Sequence, residues 1–260
     1  MKKYIIIAAL SLLTAFDIFA FSEGPIRTDK VLEKAKNYKS MIPARKIRKI
    51  ELPEGYHEGL LIDGNKIWVN NGTAGKTWVL DLQSGRVISE IEPAATFSEG
   101  ITAAPGGKYW VTDWTAKKLY RVKIEEDRMV PDFEVSFAPS RPTGVIWNGS
   151  HLYILTWTRG ALGTRYHLLK MDEEGHILDR FGIEDISEPS QMAWDGKHIW
   201  ISSWFDRRVY KIDIETAEIK GYFRSNIKNL TGIAWDGKSF WVTGTKADLY
   251  QIELIQAETE

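Results

Sequence analysis

Five stretches of this sequence repeat one pattern, and that self-similarity narrows the possible folds more than any bulk property of the chain does. The stretches begin Glu58-Gly59-Leu60-Leu61, Glu99-Gly100-Ile101-Thr102, Thr143-Gly144-Val145-Ile146, Ser190-Gln191-Met192-Ala193 and Thr231-Gly232-Ile233-Ala234, so the matched positions 59, 100, 144, 191 and 232 are 41, 44, 47 and 41 residues apart. Each start leads into a turn pair: Asp63-Gly64, Gly106-Gly107, Asn148-Gly149, Asp195-Gly196 or Asp236-Gly237. Such pairs accept positive φ at little cost and are a strong short-range signal for a β-hairpin. An aromatic-centred strand follows every turn, at Ile67-Trp68-Val69, Tyr109-Trp110-Val111, Leu152-Tyr153-Ile154, Ile199-Trp200-Ile201 and Phe240-Trp241-Val242. Third strands alternate in sidedness, as in 118–124 and 208–213.

Fourth strands are expected at 86–92, 129–135, 176–183 and 218–224, whereas the last repeat stops before it can supply one. Residues 46–52 (Lys-Ile-Arg-Lys-Ile-Glu-Leu) have the strand character to take that place. Pairing the first strand of the chain with the last repeat would close a ring and remove an exposed sheet edge. Repeats of about 40 residues with four short strands mark propellers, so 45–260 is expected to be an all-β, five-bladed β-propeller closed by an N-terminal strand. The Trp-Asp pairs at 194 and 235 open the first turn of a repeat, unlike those of WD40 repeats.

The N-terminus has the order of a secretory signal: Met1-Lys2-Lys3, an apolar run over 4–16 and a small residue at Ala20. The run is short for a bilayer span, and the expected sites of action are the periplasm or the exterior, with no stable membrane insertion after cleavage of 1–20. No cysteine is present to carry a lipid anchor, a disulfide or a thiolate site. Residues 21–50 hold nine Lys or Arg against Glu23, Asp29 and Glu33. The stretch 21–44 is expected to be a basic leader, a solvated short helix or linker; docking on an anionic membrane is the other reading. With 34 basic and 35 acidic residues over the whole chain, a nucleic-acid partner is not expected. A monomer is.

Propeller geometry decides which residues meet. The starts of the inner strands and the turns after the second strands share one face of the ring, around the central tunnel. This gathers His57, Glu58, Ser98, Glu99, Thr143, Ser190 and Thr231 with Asn70, Asn71, Trp114, Trp157, Trp204 and Thr245. Trp68, Trp110, Tyr153, Trp200 and Trp241 recur at one place in every repeat and are expected to pack blade on blade. Trp114, Trp157 and Trp204 occur in only three repeats, beside loops, and are candidates for ligand contact. Glu58 and Glu99 stand where the other repeats carry Thr or Ser, so the repeat itself does not require them. They would bind amides or water, or do chemistry.

Phe97-Ser98-Glu99-Gly100-Ile101-Thr102, then 199–204 (Ile-Trp-Ile-Ser-Ser-Trp) running into 208–213, and 230–234 followed by 240–244, resemble the plant and bacterial glutamine cyclotransferases over roughly residues 45–254. The resemblance implies a five-bladed propeller and an acyltransferase that cyclises N-terminal glutamine to pyroglutamate with loss of ammonia, needing no metal and no cofactor. It also has departures. The family's aromatic-Thr-Gln-Gly-Leu start appears as Tyr56-His57-Glu58-Gly59-Leu60, and its acid-bearing Tyr-Glu-x-Thr-Gly segment falls on Trp68-Val69-Asn70-Asn71-Gly72. Val69 has no proton to transfer. The family's Thr-Gly-Lys appears as Thr243-Gly244-Thr245 with Lys246 one place later, and its Leu-Thr-Trp-Lys as Thr112-Asp113-Trp114-Thr115.

Cyclisation needs one group to take a proton from the attacking amine and return it to departing ammonia, which suits a carboxyl whose pKa is raised by apolar neighbours. Glu99 is the candidate acid/base. Lys246 is the candidate oxyanion partner, Glu58 the amine anchor, and Asn70, Trp114, Trp157 and Trp204 the remaining substrate contacts. Two other readings stay open. One is a binding module for a cationic amine, a peptide N-terminus or a sugar, because acids beside indoles favour cations. The other is a metal-dependent, lactonase-type propeller with Glu58, Glu99 and Asn70 as oxygen ligands. The five histidines show no helical metal spacing, and no nucleophile elbow or complete phosphate loop is present.

Overall fold

The structure, a computed structural model, describes residues 41–161, 163–246 and 248–255. The expected signal sequence (1–20) and most of the expected basic leader (21–44) lie outside the described residues. Among the described residues, twenty strands form five four-stranded antiparallel sheets. The chain enters through β1 (Ala44–Ile50). The first blade is β2 (His57–Asp63), β3 (Lys66–Asn71), β4 (Lys76–Asp81) and β5 (Val87–Ile91); the second is β6 (Ser98–Ala104), β7 (Lys108–Asp113), β8 (Lys118–Glu125) and β9 (Arg128–Ser136). The third is β10 (Arg141–Trp147), β11 (Leu152–Gly160), β12 (Gly163–Met171) and β13 (Ile177–Gly182); the fourth is β14 (Pro189–Trp194), β15 (Ile199–Ser203), β16 (Arg208–Ile212) and β17 (Ile219–Arg224). The fifth is β18 (Leu230–Trp235), β19 (Phe240–Gly244) and β20 (Leu249–Leu254), completed by β1 from the start of the chain.

The closing strand pairs antiparallel with β20, from Ala44 opposite Leu254 to Ile50 opposite Leu249. It begins and ends two residues before the expected 46–52, so position 44 belongs to the propeller. The protein is a five-bladed β-propeller in which first and last strands share a blade.

The turn residues explain why each repeat folds locally. Gly64, Gly106, Gly149, Gly196 and Gly237 all have positive φ. In the fourth blade Asp195 Oδ1 accepts from the backbone N–H of Lys197 and His198 at 2.8 and 2.6 Å, while its Oδ2 accepts from the Trp200 indole at 2.7 Å. Asp236 does the same for Lys238, Ser239 and the Trp241 indole. One carboxylate thus fastens both the turn and the aromatic of the next strand.

Those aromatics join the blades. Trp68 packs against Ile101, Val111 and Val122 of the second blade, and Trp110 against Val145, Leu152 and Ile154 of the third. Tyr153 meets Met192, Ile199 and Ile201, Trp200 meets Ile233, Phe240 and Val242, and Trp241 meets Leu60, Ile67 and Val69, which brings the ring back to its first blade. The hydrophobic core is therefore five interfaces between neighbouring sheets. Burying a Trp in such a seam typically stabilises by about 3–5 kcal/mol relative to Ala.

At the hub the inner strands touch in sequence, and β18 meets β2 to close the circle. The repeated glycine makes this possible. A Cβ at Gly59 would stand 2.3 Å from the carbonyl oxygen of Glu99, at Gly100 2.5 Å from that of Thr143, and at Gly232 2.5 Å from that of Glu58. Side chains of neighbouring blades bond across these seams: Asn70 Nδ2 reaches the Glu99 carbonyl at 3.5 Å, Thr112 Oγ1 donates to the Thr143 carbonyl, and Ser190 Oγ donates to that of Leu230 at 2.7 Å. Gly100→Ala is expected to destabilise the protein by about 2–3 kcal/mol, because backbone on both sides leaves little room to relax. Urea unfolding would measure it, and an unchanged midpoint would contradict the close-approach account.

Candidate functional site

The ring positions of all five inner strands, Glu58, Glu99, Thr143, Ser190 and Thr231, line one central cavity of about 370 Å³. Tyr56, Phe97, Trp114, Trp157, Glu188 and Trp204 complete its wall. Inner-strand starts place the first group; Trp114 and Trp204 come from the second-to-third strand connections of their blades, whereas Trp157 lies in the longer second strand of the third blade, β11.

The walls are aromatic. Tyr56 stands edge-on to Phe97 at 6.1 Å and tilted over Trp204 at 6.4 Å between ring centroids. Trp114 and Trp157 are T-shaped at 5.2 Å, and Trp157 is T-shaped to Tyr166 at 5.3 Å. Trp157 is further held by its indole N–H, which donates to the Pro189 carbonyl at 2.7 Å. Arg141 braces Trp114 through a guanidinium 5.0 Å from the ring and an N–H to the Trp114 carbonyl at 2.8 Å. Asp113, fully buried, accepts from the backbone N–H of Thr96, Phe97, Thr115 and Ala116 at 2.6, 3.4, 2.8 and 2.9 Å, which sets the loops carrying Phe97 and Trp114.

The cavity holds three carboxyl groups, and none of the described residues lining it is Lys, Arg or His. Glu58 and Glu99 hydrogen-bond to each other. Burial, then the charge of Glu99, pushes the Glu58 carboxyl well above its ordinary range. Burial also raises Glu99, to about 7; its bond with Glu58 pulls down, and the nearby charge of Asp113 pushes up. Two acids this close cannot both ionise cheaply without a cation, so near neutral pH the pair shares a proton. Tyr56 is shifted the same way by burial and by both glutamates, so its phenol stays protonated and able to donate.

Glu58, Glu99, Trp114, Trp157 and Trp204 thus meet in one place, and Asn70 and Lys246 do not join them. The Asn70 side chain is fully buried between strands, its Oδ1 accepting from Thr77 Oγ1 at 2.8 Å and its Nδ2 reaching toward the Glu99 carbonyl. It positions Glu99 and has no face on the cavity. Lys246 is exposed and lines a separate cavity with Pro53, His57 and Asp248, because its place after Gly244 lies beyond the hub. His57 turns away as well, its Nε2 bonding to the Pro53 carbonyl at 2.9 Å. Val69 lies in the seam between the first and fifth blades, so that strand sends no acid to the cavity.

A metal site made of Glu58, Glu99 and Asn70 does not fit this arrangement, because the Asn70 oxygen is already taken by Thr77. Among the described residues no group of three or more His, Cys, Asp or Glu side chains is arranged to hold a metal ion. Three lining residues were not expected: Tyr56, Phe97 and Glu188. All stand two positions before a ring residue, at 58, 99 and 190, and that shared offset was a signal available in the repeat.

The sequence matches no known protein family and no curated protein. Among solved structures, the glutaminyl cyclase of Myxococcus xanthus is similar at a TM-score of 0.67 and 15% identity, over 84% of this chain and 100% of the other. The virginiamycin B lyase of Staphylococcus aureus gives 0.52 and 14%, over 82% and 100%. The aldose sugar dehydrogenase of Streptomyces coelicolor, solved with PQQ bound, gives 0.55 and 11%, over 84% and 99%. At these identities the likeness is one of fold.

Proposed function

We propose that the central cavity receives the N-terminal ammonium of a peptide and, where that first residue is glutamine, cyclises it to pyroglutamate. The observation that carries this reading is the hydrogen-bonded Glu58–Glu99 pair, buried among Tyr56, Trp114, Trp157 and Trp204 with no basic residue lining the cavity. Such a pair lacks a cation, and an ammonium supplies it. The resemblance of segments 97–102 and 230–244 to glutamine cyclotransferases supports the same choice, as does the fold shared with a glutaminyl cyclase.

In this mechanism Glu58 anchors the amine and Glu99 accepts a proton from it. Once the bound ammonium has lost one proton to solvent, its nitrogen attacks the side-chain amide carbon and gives up a second proton, to Glu99, as the C–N bond forms. As that bond forms, negative charge gathers on the amide oxygen, where the Tyr56 phenol is the group able to donate, in place of the distant Lys246. Glu99 then returns its proton to the departing nitrogen, the C–N bond breaks, and ammonia leaves. The indoles keep water away from the reacting amide, which favours ring closure over hydrolysis.

The test is incubation of the purified protein at high concentration with a Gln-initiated peptide, from mildly acidic to basic pH, with ammonia and pyroglutamate as readouts. No cyclisation at any pH would end the enzymatic reading. Tyr56→Phe is expected to lower kcat about 10²-fold with a smaller change in KM, as for loss of one oxyanion donor; equal loss in both parameters would reassign Tyr56 to substrate binding.

A second reading, an amine-binding module without turnover, is favoured by one observation: Val69 occupies the place of the acid implied by the resemblance and is sealed in the core. Saturating ligand that raises the melting temperature and is recovered unchanged would select it.

A further inference from the structure

The Glu58–Glu99 pair accounts for only part of the negative charge in the cavity. Glu188 lines the same wall, partly exposed, and its carboxylate has neither a hydrogen bond nor an ion pair among the described residues. Its backbone is in the left-handed region, φ +44°, where glycine or asparagine would be cheaper. Among the lining residues it alone has that conformation. The fold gives no reason for glutamate here, since only the main chain is used: the Glu188 carbonyl accepts from Trp204 N–H at 3.0 Å.

That bond ties Glu188 to the loop carrying Phe205, whose side chain is 63% exposed and is the most exposed large hydrophobic among the described residues. An unpaired carboxylate on a wall that also carries Trp157 and Trp204 suits a side chain with an apolar stem and a cationic head. Of the other lining residues, Thr143 and Thr231 are 2% and 0% exposed, and their hydroxyl oxygens are buried without a hydrogen-bond partner.

Resting on the reading of the site as a receptor for peptide N-termini, we infer that Glu188 selects the second residue of the peptide, and that the preferred ligands carry Lys or Arg there. The first residue places its ammonium on the glutamate pair, and the second lays its stem along the aromatic wall with its charge on Glu188. An acidic second residue adds a further negative charge to a cavity with no basic lining residue and is disfavoured.

The test uses peptides that cannot cyclise, so that it reads recognition apart from chemistry. Amidated Ala-Lys-Phe, Ala-Ala-Phe and Ala-Glu-Phe are titrated into the full chain by calorimetry at low and at physiological salt. The Lys peptide is expected to bind about fivefold tighter than the Ala peptide, the Glu peptide weaker than both, and the spread to narrow with salt. Glu188→Gln should remove the Lys preference and leave the Ala peptide within about twofold. Glu188→Gly should do the same with an equal or higher melting temperature, since it relieves the positive φ. Equal affinities in the wild type, a Lys preference that survives both variants, or no binding of the Lys peptide would each overturn the inference. A preserved ranking with no cyclisation of the matching Gln-initiated peptides would instead remove only the enzymatic reading.

Discussion

Replacing Glu99 with glutamine is expected to lower kcat for cyclisation by about 10²–10⁴-fold, the range typical for loss of a positioned acid/base. The amide keeps the size of the side chain and a hydrogen bond to Glu58, but it cannot accept a proton from the amine. In the wild type, kcat/KM should rise with pH through about 7, as Glu99 changes from acid to base. Ionisation of a peptide amine, near 7.7–8, adds a second rise on the alkaline side. Glu58→Gln should act differently, raising KM more than it lowers kcat, because its partner remains able to carry the proton. Measuring the two variants side by side over a range of pH separates these roles. A Glu99→Gln protein that turns over at the wild-type rate would leave Glu99 without its assigned part.

The same pair should make the fold less stable as the medium becomes more alkaline. Glu99 has a pKa of about 7 in the folded chain against an ordinary value of 4.5, so between those values the native state binds more protons than the unfolded one. Stability therefore falls as pH rises across that window, and the contribution is fully present only below it. The width of the window corresponds to roughly 3 kcal/mol. Glu58, raised in the same direction, extends the decline to higher pH. Urea midpoints at pH 5 and pH 8 should differ accordingly, and the double variant Glu58→Gln/Glu99→Gln should flatten the dependence and stand above the wild type at pH 8. A slope that survives in the double variant would locate its source elsewhere. An ammonium ligand that neutralises the pair should restore stability at pH 8 by mass action.

Both expectations depend on two residues separated by 41 positions, each standing where the other three repeats carry Thr or Ser. Their convergence could be anticipated because every repeat starts at the same place on the ring. The identity of the remaining lining residues was harder to anticipate. Tyr56, Phe97 and Glu188 share an offset but no chemistry, while the equivalent Arg141 braces Trp114 and the Asn229 carbonyl accepts from Thr245. A position that varies in type reveals its place on the ring through its offset and leaves its chemistry open. Asn70 illustrates the reverse: it sits near the hub in the sequence, but alternation along β3 turns it into the seam between blades. One residue of displacement took Lys246 out of reach.

By itself, then, the order of residues determined the five blades, the seam aromatics, the turn chemistry and the shared strand of the closing blade. All of these follow from local periodicity and from the need to bury one face of every sheet. Only the tertiary structure decided that Glu58 and Glu99 come together as a buried pair, that Tyr56 lines their cavity while Lys246 does not, and that Glu188 is left unpaired on the wall. Those properties depend on which groups come within bonding distance once the ring has closed and on how much water and countercharge remain around them, and neither quantity is local to any stretch of chain.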